Sequence, residues 1–356
     1  MAYSGTTGTT VVNVQDLIDH GARRCGKLAE ELTSEQLQAA RRSLFFFLSS
    51  LINIGINYWA INKEVIGLVP EQYVYELPLG ANDALNVLYR TMARPTPNAT
   101  GGYFASSGVA YNAFDGVTTT ICTQTSPNGN ISINYGTDNP IYAGSIGIMA
   151  GTSGDFHILL EYSIDGITWS LLKDTGIATW IDGKWLWYDL DAGQNVQFYR
   201  MRETGGNTLA VRELYIGNNS REIQMSRLNR DDYTNLPNKN FTANQPFQFW
   251  FDRTIPNPTV YLWPTPNSNF VQMTVWYSRQ IMDVGDLTNE LEIPQRWFEA
   301  VVMNLAHRMS LELPSIEMDR IQYLEKIAAF YLNEVENEER DRSPIYLAPN
   351  ISPYTR

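Results

Sequence analysis

Two apolar stripes of helical period stand at opposite ends of this chain, and the residues between them keep a different period. Near the beginning, Leu37, Leu44, Leu48 and Leu51 recur on one helical face, and Phe45, Phe46 and Phe47 add apolar surface around it. Near the end, Ile321, Leu324, Ala328, Tyr331 and Val335 do the same. Such stripes must be covered, and a helix as apolar as the first is buried on most of its sides. A shorter helix is expected over 16–31, and Thr33 or Ser34 caps the next, with Glu35 and Gln36 in its first turn and Gly55 after its end. Pro294 suits the first turn of a helix running to about Leu313, and the last helix starts near Ser315. The tail "SPIYLAPNISPYTR" carries three prolines and cannot continue that helix.

Strand signals fill the middle. Residues 58–79 are β-branched and aromatic with breaks at Gly67 and Pro70, and "DALNVLYRTM" over 83–92 reads as a further strand. Phe247–Asp252, Thr259–Trp263 and Val271–Arg279 are expected strands, and Pro264, Pro266, Asn267 and Ser268 between the last two suggest a hairpin. From "ARPTPNATGG" (93–102) to "IGNNS" (216–220) the chain turns rich in Gly, Thr and Asn, with short strand-like runs. That pattern is expected of an inserted β-sandwich. Within residues 98–219 five basic residues stand against eleven acidic ones, which supplies half of the chain's formal charge of −12.

That charge bears on function. A protein that grips a nucleic-acid backbone needs clustered Lys and Arg to displace counterions, and no cluster is present, although an acidic surface lets DNA pass without sticking. Cys25 and Cys122 make neither a disulfide framework nor a metal-binding pair, and both are expected to be buried thiols. His20, His157 and His307 have no metal-ligand spacing, so no metal and no cofactor is expected. No nucleophile, phosphate-loop or zinc-protease motif occurs, and the acidic pairs Asp231/Asp232 and Glu338/Glu339 lie in polar stretches. A catalytic role is not expected. The N-terminus has no signal-peptide pattern, and no apolar run is long enough to cross a membrane. Trp180, Trp185 and Trp187 in "TWIDGKWLW" could stack on a sugar, which makes Trp180 and Trp185 candidate carbohydrate contacts. At period two, Trp185 and Trp187 share a face and suit a strand core equally well.

Within residues 98–219, "YNAFDG", "YSIDGITW", "FYRMRE" and "VRELYIG" follow in an order that resembles the discoidin, or coagulation factor 5/8 type C, family of galactose-binding-like jelly rolls. Ala113, Asp115, Gly116, Ser163, Asp165, Gly166, Trp169, Tyr199, Arg202 and Glu213 carry the likeness. The chain departs from it around Cys122, near where many members place a tryptophan. The resemblance implies a jelly roll, and in some members sugar or lipid binding through loops at one end.

The flanks carry a second likeness. Arg227, Tyr233, Leu236, Pro237, Lys239, Pro246, Trp263 to Pro266, Tyr277, Pro294, Trp297, Leu305 and Ala306 fall in an order that resembles the head-to-tail adaptors of tailed bacteriophages, also called tail tubular protein A or head-completion proteins. The resemblance implies an α+β fold, with a helical bundle from both chain ends and a small antiparallel β-platform. Residues 1–97 and 220–341 would form this discontinuous domain, residues 98–219 the inserted sandwich and residues 342–356 an extended docking tail. The implied role is structural: a homo-oligomeric ring, commonly a dodecamer, in the virion neck between the portal protein and a downstream tail or nozzle protein. DNA would pass through its channel without sequence-specific binding. Ile345, Tyr346, Leu347, Ile351 and Tyr354 would anchor the tail on the portal. The alternative is a lectin-like protein that binds a surface glycan through the insert, with no membrane role in either case.

Overall fold

The computed structural model describes residues 12–54, 58–92, 96–190, 192–217, 219–268 and 271–339. The fold is mixed α+β with strands in the majority, and it divides into two compact units, Met1–Ile61 with Ser278–Arg356 and Asn62–Tyr277. The second unit contains residues 98–219 together with the strands that flank them.

Among the described residues the first unit holds four long helices on one apolar core: α1 (Val14–Cys25), α2 (Ser34–Ile54), α3 (Phe298–Glu312) and α4 (Met318–Glu338). Local chemistry sets their ends. At α1 the Asp16 N–H donates to the Asn13 side chain at 2.8 Å, and the Asp16 carboxylate accepts the Asn13 N–H in return. Gly26 at φ 84° then stops α1 at Cys25, so the expected run to Glu31 is broken and resumes only as one 3₁₀ turn, Ala29–Glu31. Thr33 and Gln36 form the reciprocal box at α2, with bonds of 3.3 and 2.9 Å. Pro294 leads into a 3₁₀ turn before α3, and Ser315 at φ 64° delays α4 to Met318.

Leu44, Leu48 and Leu51 of α2 meet Val301, Leu305 and Met309 of α3 and Leu324 and Val335 of α4 in that core. Cys25 lies in it too, and its Sγ–H donates to the Ala306 carbonyl at 3.0 Å. Burial pushes this thiol up to about 11, outweighing the opposing charge of Arg320. Cys122 is buried in the second unit, where burial likewise raises its value. Neither thiol should react with iodoacetamide in the folded protein at neutral pH, and both should react at once in denaturant. Counting adducts by intact mass with and without denaturant checks this, and fast labelling of the folded chain would contradict the buried placements.

The second unit contains the expected sandwich. A five-stranded sheet runs in the order Ser170–Trp180, Gly154–Ser163, Phe198–Glu203, Asn130–Asn134, Gly102–Ala105. A four-stranded sheet runs Trp185–Asp189, Ser145–Ala150, Ala210–Gly217, Cys122–Thr123. Their alternate residues share one core, with Ile131, Ile133, Ile158, Leu160, Tyr199 and Met201 from the first and Ile146, Ile148, Val211, Leu214 and Ile216 from the second. The strands that flank the insertion pair with each other, Asn219–Gln224 antiparallel to Ala81–Met92. The chain therefore leaves and re-enters its host sheet at neighbouring positions, which lets a whole domain be inserted without spreading that sheet.

The platform corrects two expectations. Thr259–Trp263 and Val271–Arg279 form no hairpin, because they belong to different sheets. The first pairs with Gln248–Asp252 and with Val74–Glu76, and the second lies between Ile61–Gly67 and Ala81–Met92. Pro264 and Pro266 have no N–H to offer a ladder, so pairing cannot carry through the turn. Crossing over lets each apolar face cover the other: Val260 and Leu262 share a core with Met273 and Val275. The platform is also not purely antiparallel, since Ser226–Leu228 pairs parallel with Gln248–Asp252.

Candidate functional site

The residues that carry the discoidin likeness hold turns and core. The Asp115 carboxylate accepts the Val117 N–H and the Thr120 hydroxyl, each at 2.8 Å, and Gly116 beside it sits at φ 80°. Asp165 accepts the N–H groups of Ile167 and Thr168 at 2.8 Å and the Ser163 hydroxyl at 2.9 Å. Those bonds hold its carboxyl down at about 2. Tyr199 is buried and donates to the Ile141 carbonyl at 2.6 Å. Glu161 joins Arg200 and Arg202, and Arg200 lies 4.2 Å from the centre of the Trp169 ring. These groups satisfy one another, so the motif specifies the sandwich and leaves little chemistry for a ligand.

The candidate carbohydrate contacts separate. Trp180 is 1% exposed and packs on Phe156 at 4.8 Å between ring centres, so its face cannot meet a sugar. Sequence could not place it, because the bulged strand it ends switches which side each residue shows; register shifts fall between Leu171 and Lys173 and between Asp174 and Ile177. Trp185 is half-buried and stacks on Trp187 at 4.7 Å. The anchors Ile345, Tyr346, Leu347, Ile351 and Tyr354 lie outside the described residues. Among the described residues no group of three or more His, Cys, Asp or Glu is placed to hold a metal ion.

The sequence reading missed the seam where the sandwich meets its host sheet. Gly67 and Gly147 both press on the stacked indoles. A Cβ on Gly67 would fall 2.3 Å from Trp187 Nε1, and one on Gly147 2.1 Å from the same ring. Next to the indoles runs an ionic chain across the two parts. Arg90 of the host sheet, 2% exposed, donates to Asp189 of the sandwich at 2.8 Å, to Glu222 at 2.6 Å and to Gln272 at 3.2 Å. Lys63 adds a second cation on Asp189. Burial alone would raise the Asp189 carboxyl, but the bonds from Arg90 and Lys63 outweigh it and hold the group below its usual value. The insert is thus bolted to the platform by aromatic contact and by charge.

Beside the seam opens a cleft of about 490 Å³, with Glu64, Gln72, Glu76, Lys184 and Trp185 in its lining. The helices of the first unit also expose large apolar side chains, Phe46 on α2, Leu311 on α3, and Met318, Tyr323 and Phe330 on α4.

Comparison with known proteins adds a family likeness over one part of the chain. No curated protein matches. Solved structures similar to part of the chain include CpGH89CBM32-6 from Clostridium perfringens, at 14% identity and a TM-score of 0.31, covering 36% of this chain and 100% of that one. The family 32 carbohydrate-binding module of C. perfringens NanJ in complex with galactose gives 18% identity and a TM-score of 0.28, covering 36% and 98%. Chitosan-binding module 1 of a Paenibacillus sp. IK-5 chitosanase/glucanase gives 16% and 0.30, covering 36% and 100%. A model of the SU10 adaptor protein family matches residues 184–351. Over that stretch, from the last strands of the sandwich through the platform to the C-terminal helices, the chain is similar to SU10 adaptor proteins.

Proposed function

We propose that the protein is a structural component of a tailed-bacteriophage virion: a non-catalytic head-to-tail adaptor that closes into a ring, of about twelve copies by the family's habit. It docks on the portal protein, extends the DNA channel and offers a platform to the downstream tail or nozzle protein. The match of residues 184–351 to the SU10 adaptor family carries this reading. Two features support it. The helices expose Phe46, Leu311 and Phe330, large apolar side chains of the kind that subunit contacts bury. A net charge of −12 disfavours adhesion to passing DNA. In this reading the helices of the first unit form the subunit-contacting bundle, the sandwich decorates the particle, and the C-terminal tail docks on the portal through Ile345, Tyr346, Leu347, Ile351 and Tyr354.

Light scattering of the protein alone and mixed with its cognate portal tests the proposal. Mass should rise to a closed ring only with portal, and a chain lacking residues 343–356 should fail to assemble. A protein that stays monomeric beside its portal would remove the adaptor reading. A complete ring formed equally well without the tail would remove only the docking role of those residues.

A further inference from the structure

The cleft beside the seam has an unusual balance of hydrogen-bonding groups. Glu64 and Glu76 bring two carboxylates, and Lys184 is the single cation among its described lining residues. Gln72 spends its Nε2 on the Val74 carbonyl at 2.8 Å, which leaves its Oε1 as an acceptor. Among the described residues, no hydrogen bond or ion pair engages the Glu64 side chain, although it is half-buried. Burial pushes its carboxyl above the usual value, and no cation offsets this. A carboxylate partly withdrawn from water and given no partner loses hydration that an incoming donor can replace. Trp185 lines the same cleft and supplies aromatic surface.

We propose that this cleft takes the guanidinium of an arginine side chain presented by a partner protein. An excess of acceptors favours a group that only donates. A guanidinium does so with five N–H groups in a plane, pairs bidentately with carboxylates and lies flat on indole surface. A neutral saccharide needs donors as well as acceptors, and Lys184 is the lining's one charged donor. Lys184 remains available for a backbone carbonyl of the segment that brings the arginine in. The inference stands apart from the adaptor reading, because it rests on the cleft alone.

The test titrates full-length protein carrying ¹³C-labelled glutamate with N-acetyl-arginine amide, following the Glu64 carboxyl. A saturable shift is expected, and the Glu64 titration midpoint should fall as the probe binds. Because the ionised form binds the cation, affinity should weaken as pH drops through the raised midpoint of the free protein. Glu76, Tyr75 and Lys184 are the other titratable lining groups; burial holds the Tyr75 phenol protonated well above this window. Glu64→Gln should weaken binding about tenfold or more while leaving the thermal melt in place. Glu76→Gln, at an exposed residue, gives a second variant with a smaller loss. The neutral isostere N-acetyl-citrulline amide should not bind. Absence of a saturable shift, equal binding of the citrulline probe, or a saccharide that perturbs Glu64 where the arginine probe does not, would each overturn the proposal.

Discussion

Replacing Arg90 with alanine should destabilise the second unit by about 3 kcal/mol, the low end of what losing one partner of a buried ion pair costs. The low end applies because the partners can rehydrate in part: the side chains of Asp189 and Glu222 are 26% and 44% exposed, against 2% for Arg90. Gln272, fully buried, would lose its contact with the guanidinium as well. Denaturant unfolding of the full chain measures the loss. A double-mutant cycle with Asp189→Asn separates the pair from the packing of the arginine stem. The pH dependence has a definite sign. Asp189 is held below its usual value in the fold, so its contribution is complete above the unfolded-state value and fades as pH falls through the lower folded one. The variant should therefore lose part of the wild type's acid-sensitive stability. A loss below about 0.5 kcal/mol, the level of an ordinary surface change, would mean that the seam is not held by this network.

Trp180→Ala should cost about 3–5 kcal/mol, the range for removing a large aromatic from a close-packed core. The side chain is 1% exposed and packs on Phe156 within the sandwich. Trp180→Phe should cost much less, because it keeps most of the ring and removes an N–H that has no partner among the described residues. Ile164→Ser and Ile167→Ser, at side chains 78% and 84% exposed, should change stability by no more than about 0.5 kcal/mol. Calorimetric melts of the four variants give the ranking directly, and a neutral Trp180→Ala would contradict its place in the core. The ranking also governs any search for glycan binding. Activity lost with Trp180→Ala would report a damaged sandwich, so Trp185 is the residue to vary in such a screen.

What the sequence determined was set by neighbours along the chain. The Thr33–Gln36 box, the Asp165–Gly166 turn and the alternation in "FYRMR" each involve groups a few positions apart, and each is legible from residue order, whereas the stop at Gly26 inside the expected helix was missed. The inserted β-sandwich was legible for the same reason, since turn chemistry recurs through residues 98–219. Tertiary structure decided what depends on distant strands. Trp263 and Val271 look like two arms of a hairpin, with the prolines between them read as its turn, until pairing assigns them to different sheets. Whether Trp180 faces core or solvent turned on bulges that residue order does not announce. The seam was hidden most completely. Arg90 meets Asp189 across 99 positions, Glu222 across 132 and Gln272 across 182, and each of these residues alone reads as an ordinary polar side chain. Only folding puts a guanidinium, two carboxylates and a pair of indoles in one place, because hydrogen bonding and burial act through space and a local pattern carries no record of which distant strand will arrive.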